Sequence, residues 1–223
     1  FIKEIFGGTG MNTFNVALAA RAFLFFSYPG SMTGDKVWAA TDQICGLGYT
    51  LPDGFTMATP LGEIAQGTAM NTSLSDMVVG LMPGSVGETS VIAIAIGAII
   101  LIWTNIASWK TMLSVFAGGI AMALIFHSAG ASPLQWYEHV VLGGFCFGAV
   151  FMATDPVTSA RTERGKWIYG FLVGVMAVII RVLNHGYPEG MMLAILFGNM
   201  CAPLIDYCVV QSNINKRAKR AKM

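Results

Sequence analysis

A chain of 223 residues that is 55% hydrophobic and only 11% charged lies far from a soluble domain, where about a quarter of residues carry charge, and reads as an integral membrane protein. A net charge of +1 excludes the broad basic field that a nucleic-acid partner requires. The four cysteines, Cys45, Cys146, Cys201 and Cys208, form no C-x-x-C pair and three lie in apolar runs, where a thiol acts as a small hydrophobe; this argues against iron–sulfur or zinc ligation.

The opening segment KEIFGGTGMNTFN reads as the interior of a longer polypeptide, and the chain as its C-terminal portion. Residues 1–30 combine a glycine-rich break, FGGTGMN (Phe6–Asn12), with a short apolar stretch, Phe14–Tyr28, that contains Arg21. That stretch suits either a tilted span or a half-helix entering from one side, because irregular backbone at membrane depth has to be buried in protein or line a cavity. Residues 31–88 form a polar loop region around PDGFTMATPLGE. Its hydroxyls, Thr56 and Thr59, serve either as turn and helix-cap oxygens or, for one of them, as a covalent attachment point. Residues 89–211 hold five expected transmembrane helices: Ser90–Asn105, Lys110–His127, Trp136–Ala153, Trp167–Leu183 and Pro188–Val210. Glycines in FAGGIAMA and LGGFCFGA are expected at close helix–helix contacts. Residues 212–223 are a basic tail with Lys216, Arg217, Lys219, Arg220 and Lys222.

The excess of Lys and Arg on cytoplasmic loops orients the spans. With the tail inside, crossing back two spans returns Arg161, Arg164 and Lys166 to the inside, and two more return Lys110 there. The 31–88 region, which carries Lys36 against Asp35, Asp42, Asp53, Glu63, Asp76 and Glu88, then lies outside.

Charges within or beside spans are costly and point to a bundle interior or a pathway. Glu88 in GSVGETS either caps a span or serves such a pathway; Asp155 in FMATDPVTS is a helix stop before Pro156 or a pathway carboxylate. Asp206 in APLIDYC either pairs with the basic tail or handles an ion. Arg181 in VIIRVLN is expected to snorkel outward, and Glu189 to be an acid at a helix N-terminus. No nucleophile–base triad, P-loop or dinucleotide turn is present, so any chemistry requires a cofactor.

The stretches FGGTGMNTFNVALAARAFLFFSYPGSMTGDKVW, DGFTMATPL, PGSVGETS, FMATDPVTS and YPEGMMLAILFGNMCAPLID, in that order, together resemble the C-terminal half of the B subunit of the sodium-translocating NADH:quinone oxidoreductase family. The D subunit of the Rnf ion-translocating complex shares the general pattern. The resemblance implies an all-α membrane bundle, one half of a urea-transporter-like fold of two inverted repeats, in the bacterial inner membrane. It implies FMN joined through its phosphate to a threonine in a motif resembling D-x-x-[Ser/Thr]-Gly-Ala-Thr. The matching run is Asp53-Gly54-Phe55-Thr56-Met57-Ala58-Thr59, which makes Thr59 the acceptor and Asp53, Thr56 and Ala58 motif residues. Met57 stands where the family has glycine, and QICGLGYTLP reads as an insertion ahead of the motif.

The resemblance further implies a non-covalent riboflavin near Asn12 and Asn15; helix capping is the competing role for Asn12. It places sodium handling on Glu88, Asp155 and Asp206, hard oxygen ligands suited to such a cation. The implied partners are the other subunits of the complex, ubiquinone or menaquinone, Na+, and a flavin transferase for maturation. The leading function is a flavin-carrying subunit of a redox-driven sodium pump. The alternatives are an Rnf-type ferredoxin:NAD oxidoreductase subunit and a flavin-free channel.

Overall fold

The computed structural model describes residues 2–5, 7–28, 59–65, 72–85, 87–184 and 189–221, and among them the regular structure is helical. The first helix, α1 (Val16–Ser27), begins where Asn15 accepts the N–H groups of Ala17 at 3.1 Å and Leu18 at 3.4 Å, answering the orphan donors of a first turn. Its 12 residues rise about 18 Å, well short of a hydrocarbon core of about 30 Å. Two short helices, α2 (Pro60–Ala65) and α3 (Leu74–Val79), follow. Leu61 and Met77 from them, with Met82, form a small core on Leu134 and Leu142. Helix α4 (Val91–Trp103) starts at Ser90, whose hydroxyl accepts the N–H of Ala93 at 3.4 Å.

The remaining elements are α5 (Trp109–Ser128), α6 (Trp136–Val141), α7 (Phe145–Phe147) leading into a π-helical turn at Gly148–Met152, α8 (Glu163–Leu183) and α9 (Met191–Ala221). Three of these, α5, α8 and α9, are long and apolar enough to cross a membrane. The expected basic tail is no separate element, since α9 continues unbroken through Lys216 to Arg220. The stretch expected as one span over Trp136–Ala153 is interrupted. Leu142 is extended, Gly143 adopts φ +64°, and the helix resumes at Phe145. Gly143 suits the break on two counts: the left-handed backbone favours glycine, and a Cβ there would stand 2.6 Å from Leu61 Cδ1.

Helix α8 is the axis of the bundle, packed most extensively on α5 and next on α9. Its seam with α5 is made of small residues. A side chain at Gly118 would overlap the Phe171 carbonyl oxygen, and one at Gly174 the Val115 carbonyl oxygen. At Gly170 the neighbour is Ser114, whose hydroxyl donates to Thr111 O at 2.9 Å and reaches Lys166 O at 3.3 Å. Close backbone approach of this kind drives helix pairing where lipid removes the hydrophobic force between helices. The two helices run in the same direction. Trp109 meets Trp167 edge-on at 6.1 Å at their starts, where Lys110 and Lys166 share Glu163. Helix α9 runs antiparallel to α8, Asn199 meeting Tyr169 and Asp206 meeting the 161–162 backbone. The basic clusters at 110, 161–166 and 216–220 therefore share one end of the bundle.

Gly174→Val would push a branched side chain into the α5 backbone. Overpacking of this kind costs about 1–3 kcal/mol or more. In detergent, the variant subunit should lose its folded, monodisperse fraction at a lower temperature than the parent, followed by size-exclusion after heating. Leu124→Val, at an exposed site on α5, is the control and should melt as the parent does.

Candidate functional site

At the basic end of the bundle a cleft of about 290 Å³ opens between the segment before α1, the 157–161 loop and α9. Such a volume is at the lower end of the roughly 300–1,000 Å³ of small-molecule sites. Its walls bring together Asn12, Thr158, Arg161, Asn199, Pro203 and Asp206. Asn12 is not the cap of α1; that role falls to Asn15, while Asn12 Nδ2 donates to Phe14 O at 3.1 Å. Of the two asparagines expected at a flavin, Asn12 lines the cleft and Asn15 holds the helix start beside it.

Asp206 accepts three hydrogen bonds: from Arg161 N at 2.8 Å, Thr162 N at 3.0 Å and Thr162 Oγ1 at 2.6 Å. It thereby ties α9 to the first turn of α8, and its partners are this loop rather than the lysines and arginines of the tail described in α9. Asp155 lies one step behind the cleft wall. Its Oδ2 accepts from Thr158 Oγ1 at 2.8 Å and its Oδ1 from Val157 N at 3.2 Å, a local turn that ends the preceding helix.

Glu88 stands at the opposite end. It pairs with Arg21 of α1 at 3.2 Å, and Arg21 also reaches Glu189 at 3.4 Å. Ser90, not Glu88, caps α4. Burial, seconded by the nearby Glu189 carboxylate, pushes the Glu88 carboxyl above its ordinary range, and Arg21 opposes that rise. Among the described residues no three His, Cys, Asp or Glu side chains gather into a set that would hold a metal ion; Glu88, Asp155 and Asp206 do not converge.

Beside this ion cluster lies Arg181. Instead of snorkelling outward it is buried, 6% exposed. It donates to the carbonyls of His139, Leu142 (3.2 Å) and Glu189 (3.4 Å). The break after α6 strips the His139 and Leu142 carbonyls of helical partners, and the guanidinium, with five fixed donors, supplies replacements.

Thr59 is half-buried ahead of α2. Its Oγ1 accepts the N–H of Gly62 at 3.2 Å and its carbonyl accepts that of Glu63 at 2.9 Å. The hydroxyl thus acts through an oxygen lone pair, which an ester at that oxygen retains. Asp53, Thr56 and Ala58 lie outside the described residues. Leu61, two residues on, abuts Gly143, and the next residue, Gly144, faces the Glu88 carboxylate that Arg21 holds. Thr59 and Asn12 accordingly belong to opposite ends of the bundle, with α1 running between them.

Asn199 is a residue that the sequence pattern does not single out. It is 1% exposed, its Oδ1 accepts from Tyr169 Oη at 3.0 Å, and its Nδ2 has no partner. The one visible signal is its place four residues before Pro203, where a proline leaves the helical carbonyl without an N–H.

A family model described as NQR2, RnfD, RnfE matches residues 1–215. The chain belongs to that family. Relatives named as the B subunit of Na(+)-translocating NADH-quinone reductase support the placement. The one from Klebsiella pneumoniae (strain 342) is 50% identical over 98% of this chain and 54% of its own length. That from Stutzerimonas stutzeri (strain A1501) is 51% identical over 98% and 54%. The Chromohalobacter salexigens protein is 51% identical over 98% and 53%. The chain spans about half the length of these relatives.

Replacing Arg181 by Leu leaves the buried carbonyls of His139 and Leu142 without donors, at about 1–3 kcal/mol each. The variant subunit should fail to accumulate in membranes, measured by immunoblot. Arg181→Lys keeps the charge but not the planar fork and should restore only part of the signal.

Proposed function

We propose that this chain is the flavin-carrying part of a membrane subunit in a redox-driven sodium pump, relaying electrons from NADH through a covalent FMN on Thr59 and a non-covalent riboflavin to ubiquinone or menaquinone. The observation that carries this reading is the pairing of two places along α1. A polar cleft containing Asn12 lies at one end, and the Thr59 segment lies toward the other. The names of the relatives at about 50% identity favour the quinone reductase over the Rnf-type alternative, and with it the other subunits of such a complex as partners.

Flavin bound at these two places would supply reversible electron transfer. The chain's own groups do the holding. Thr59 offers Oγ1 to the FMN phosphate, with Asp53, Thr56 and Ala58 as the surrounding motif read by a flavin transferase. Asn12 offers an amide whose donors and acceptor match the rim of an isoalloxazine, and Asn15 fixes the start of α1 that carries it. Asp206 on the cleft wall and Asp155 one step behind it carry the oxygen chemistry that sodium takes, and Glu88 offers a carboxylate at the far end.

The sharing of one end by all three basic clusters supports a cytoplasmic face for the cleft and for the end of α9, and an extracytoplasmic face for Thr59. The short α1 and the interrupted α6–α7 are discontinuous helices of the sort that inverted-repeat membrane folds place at their sites. This supports reading the chain as one half of a urea-transporter-like fold in the bacterial inner membrane.

Covalent FMN survives denaturation, so the full-length subunit co-expressed with a flavin transferase should give a fluorescent gel band. Thr59→Ala should abolish the band and Thr56→Ala should leave at least part of it. A band that persists in Thr59→Ala rules out the ester assignment, and a parent with no band points to the flavin-free channel.

For Asp206 the expected outcome concerns sodium. In the assembled complex, Asp206→Asn should weaken the sodium dependence of quinone reduction while the covalent FMN band stays. The amide would set an N–H2 against an N–H of Arg161 or Thr162, so some loosening of the 161–162 loop is expected as well. A thermal melt separates that loosening from ion handling: lowered stability with an unchanged sodium titration assigns Asp206 to the loop alone.

A further inference from the structure

Three side-chain polar atoms are buried without a partner among the described residues: Thr111 Oγ1, His139 Nδ1 and Asn199 Nδ2. Of the three residues, Asn199 is the one that lines the cleft. A buried donor left unmade costs about 1–3 kcal/mol, so an orphan on a cleft wall marks a place where something else completes the bond.

The amide's orientation says what that partner is. Tyr169 is fully buried, and its hydroxyl proton finds its acceptor in Asn199 Oδ1 at 3.0 Å. Turning the amide over would point Nδ2 at Tyr169 and leave the Tyr169 proton without that acceptor. The arrangement that satisfies Tyr169 therefore commits Oδ1 to the protein and leaves the amide N–H of this cleft-lining residue without a partner. A cation would need the opposite, an oxygen facing inward. Pro203 closes the same wall with an apolar ring and has no N–H to give the Asn199 carbonyl. Asn12 faces this wall from the segment before α1, across a space sized for a ring system rather than an ion.

We propose that Asn199 is a ligand-contacting residue of the cleft, its Nδ2–H donating to an acceptor atom on the rim of a planar heteroaromatic ring, with Tyr169 as the residue that holds the amide in that orientation. This rests on the reading of the cleft as the non-covalent flavin site, and it adds a donor from α9 facing Asn12. A donor here favours the more electron-rich state of whatever ring accepts it, so Asn199 bears on potential as well as on retention.

The test uses riboflavin as the probe on the full-length subunit assembled in its complex. Non-covalent flavin is released by denaturation and quantified, and riboflavin affinity is measured on the stripped complex. Asn199→Leu should weaken binding about ten-fold or more, the loss of one well-placed hydrogen bond. Asn199→Asp keeps the size and the Tyr169 contact but turns an acceptor toward the ring. It should weaken binding at least as much, and should shift the midpoint of the non-covalent flavin to lower potential in a redox titration. Tyr169→Phe should give a smaller loss. Thr111→Val, at the orphan hydroxyl away from the cleft, should bind as the parent does.

If Asn199→Leu does not accumulate, the near-isosteric Asn199→Asp decides. Parental affinity and midpoint in Asn199→Asp overturn the proposal while the parent's flavin content leaves the site reading intact. A parent complex that neither contains nor binds non-covalent flavin overturns the site reading, and this inference with it.

Discussion

The close contact of α5 with α8 governs where everything else can sit. In lipid the two helices gain nothing by hiding leucines from solvent, so they approach until backbone touches backbone, and Gly118, Gly170 and Gly174 make that approach possible. The seam fixes α8 as a rigid post. Helix α9 is then set against its other side, where Gly198 lies against Val173 and Tyr169 and Asn199 takes the Tyr169 hydroxyl. The wall of the cleft inherits its position from a contact more than one helix away.

A second regularity is how the bundle treats polar groups it cannot hydrate. Interruptions in the helices are met by specific donors or acceptors. The carbonyls freed after α6 go to Arg181. The N–H groups at 161 and 162, at the entry to α8, go to Asp206. The carboxylates of Glu88 and Glu189 meet Arg21. Against that background the uncommitted amide N–H of Asn199 is an exception with a location, on the wall of the polar cleft.

Hydropathy makes the three long helices legible because a run of about 20 apolar residues leaves few alternatives, and the basic clusters of the sequence gather at one end as their spacing requires. The break at Leu142–Gly144 is not legible. LGGFCFGA offers the same small residues whether a helix packs closely there or stops, and the deciding neighbour, Leu61, is remote in sequence. Arg181 departs from expectation for the same reason. Near a helix end an arginine has every reason to reach outward, unless carbonyls on another helix have lost their partners. At the candidate site, the family pattern locates Asn12 and Asp206, and the fold brings them to one cleft. The hydrogen bonds of Asp206 to 161 and 162 and the orphan on Asn199 depend on tertiary pairing that no single-sequence pattern contains. The Asp53–Ala58 part of the motif falls outside the described residues, and Thr59 is its described member.

The burial of Arg181 also has a bearing on biogenesis. A buried arginine in the last turn of a span is costly unless its charge is answered, and its acceptors at His139 and Leu142 belong to the preceding hydrophobic segment. Helix α8 therefore enters lipid most readily when residues 136–152 have already arrived and are still beside it. The two segments are therefore expected to insert as a unit, the interrupted helix supplying the acceptors that the following one needs.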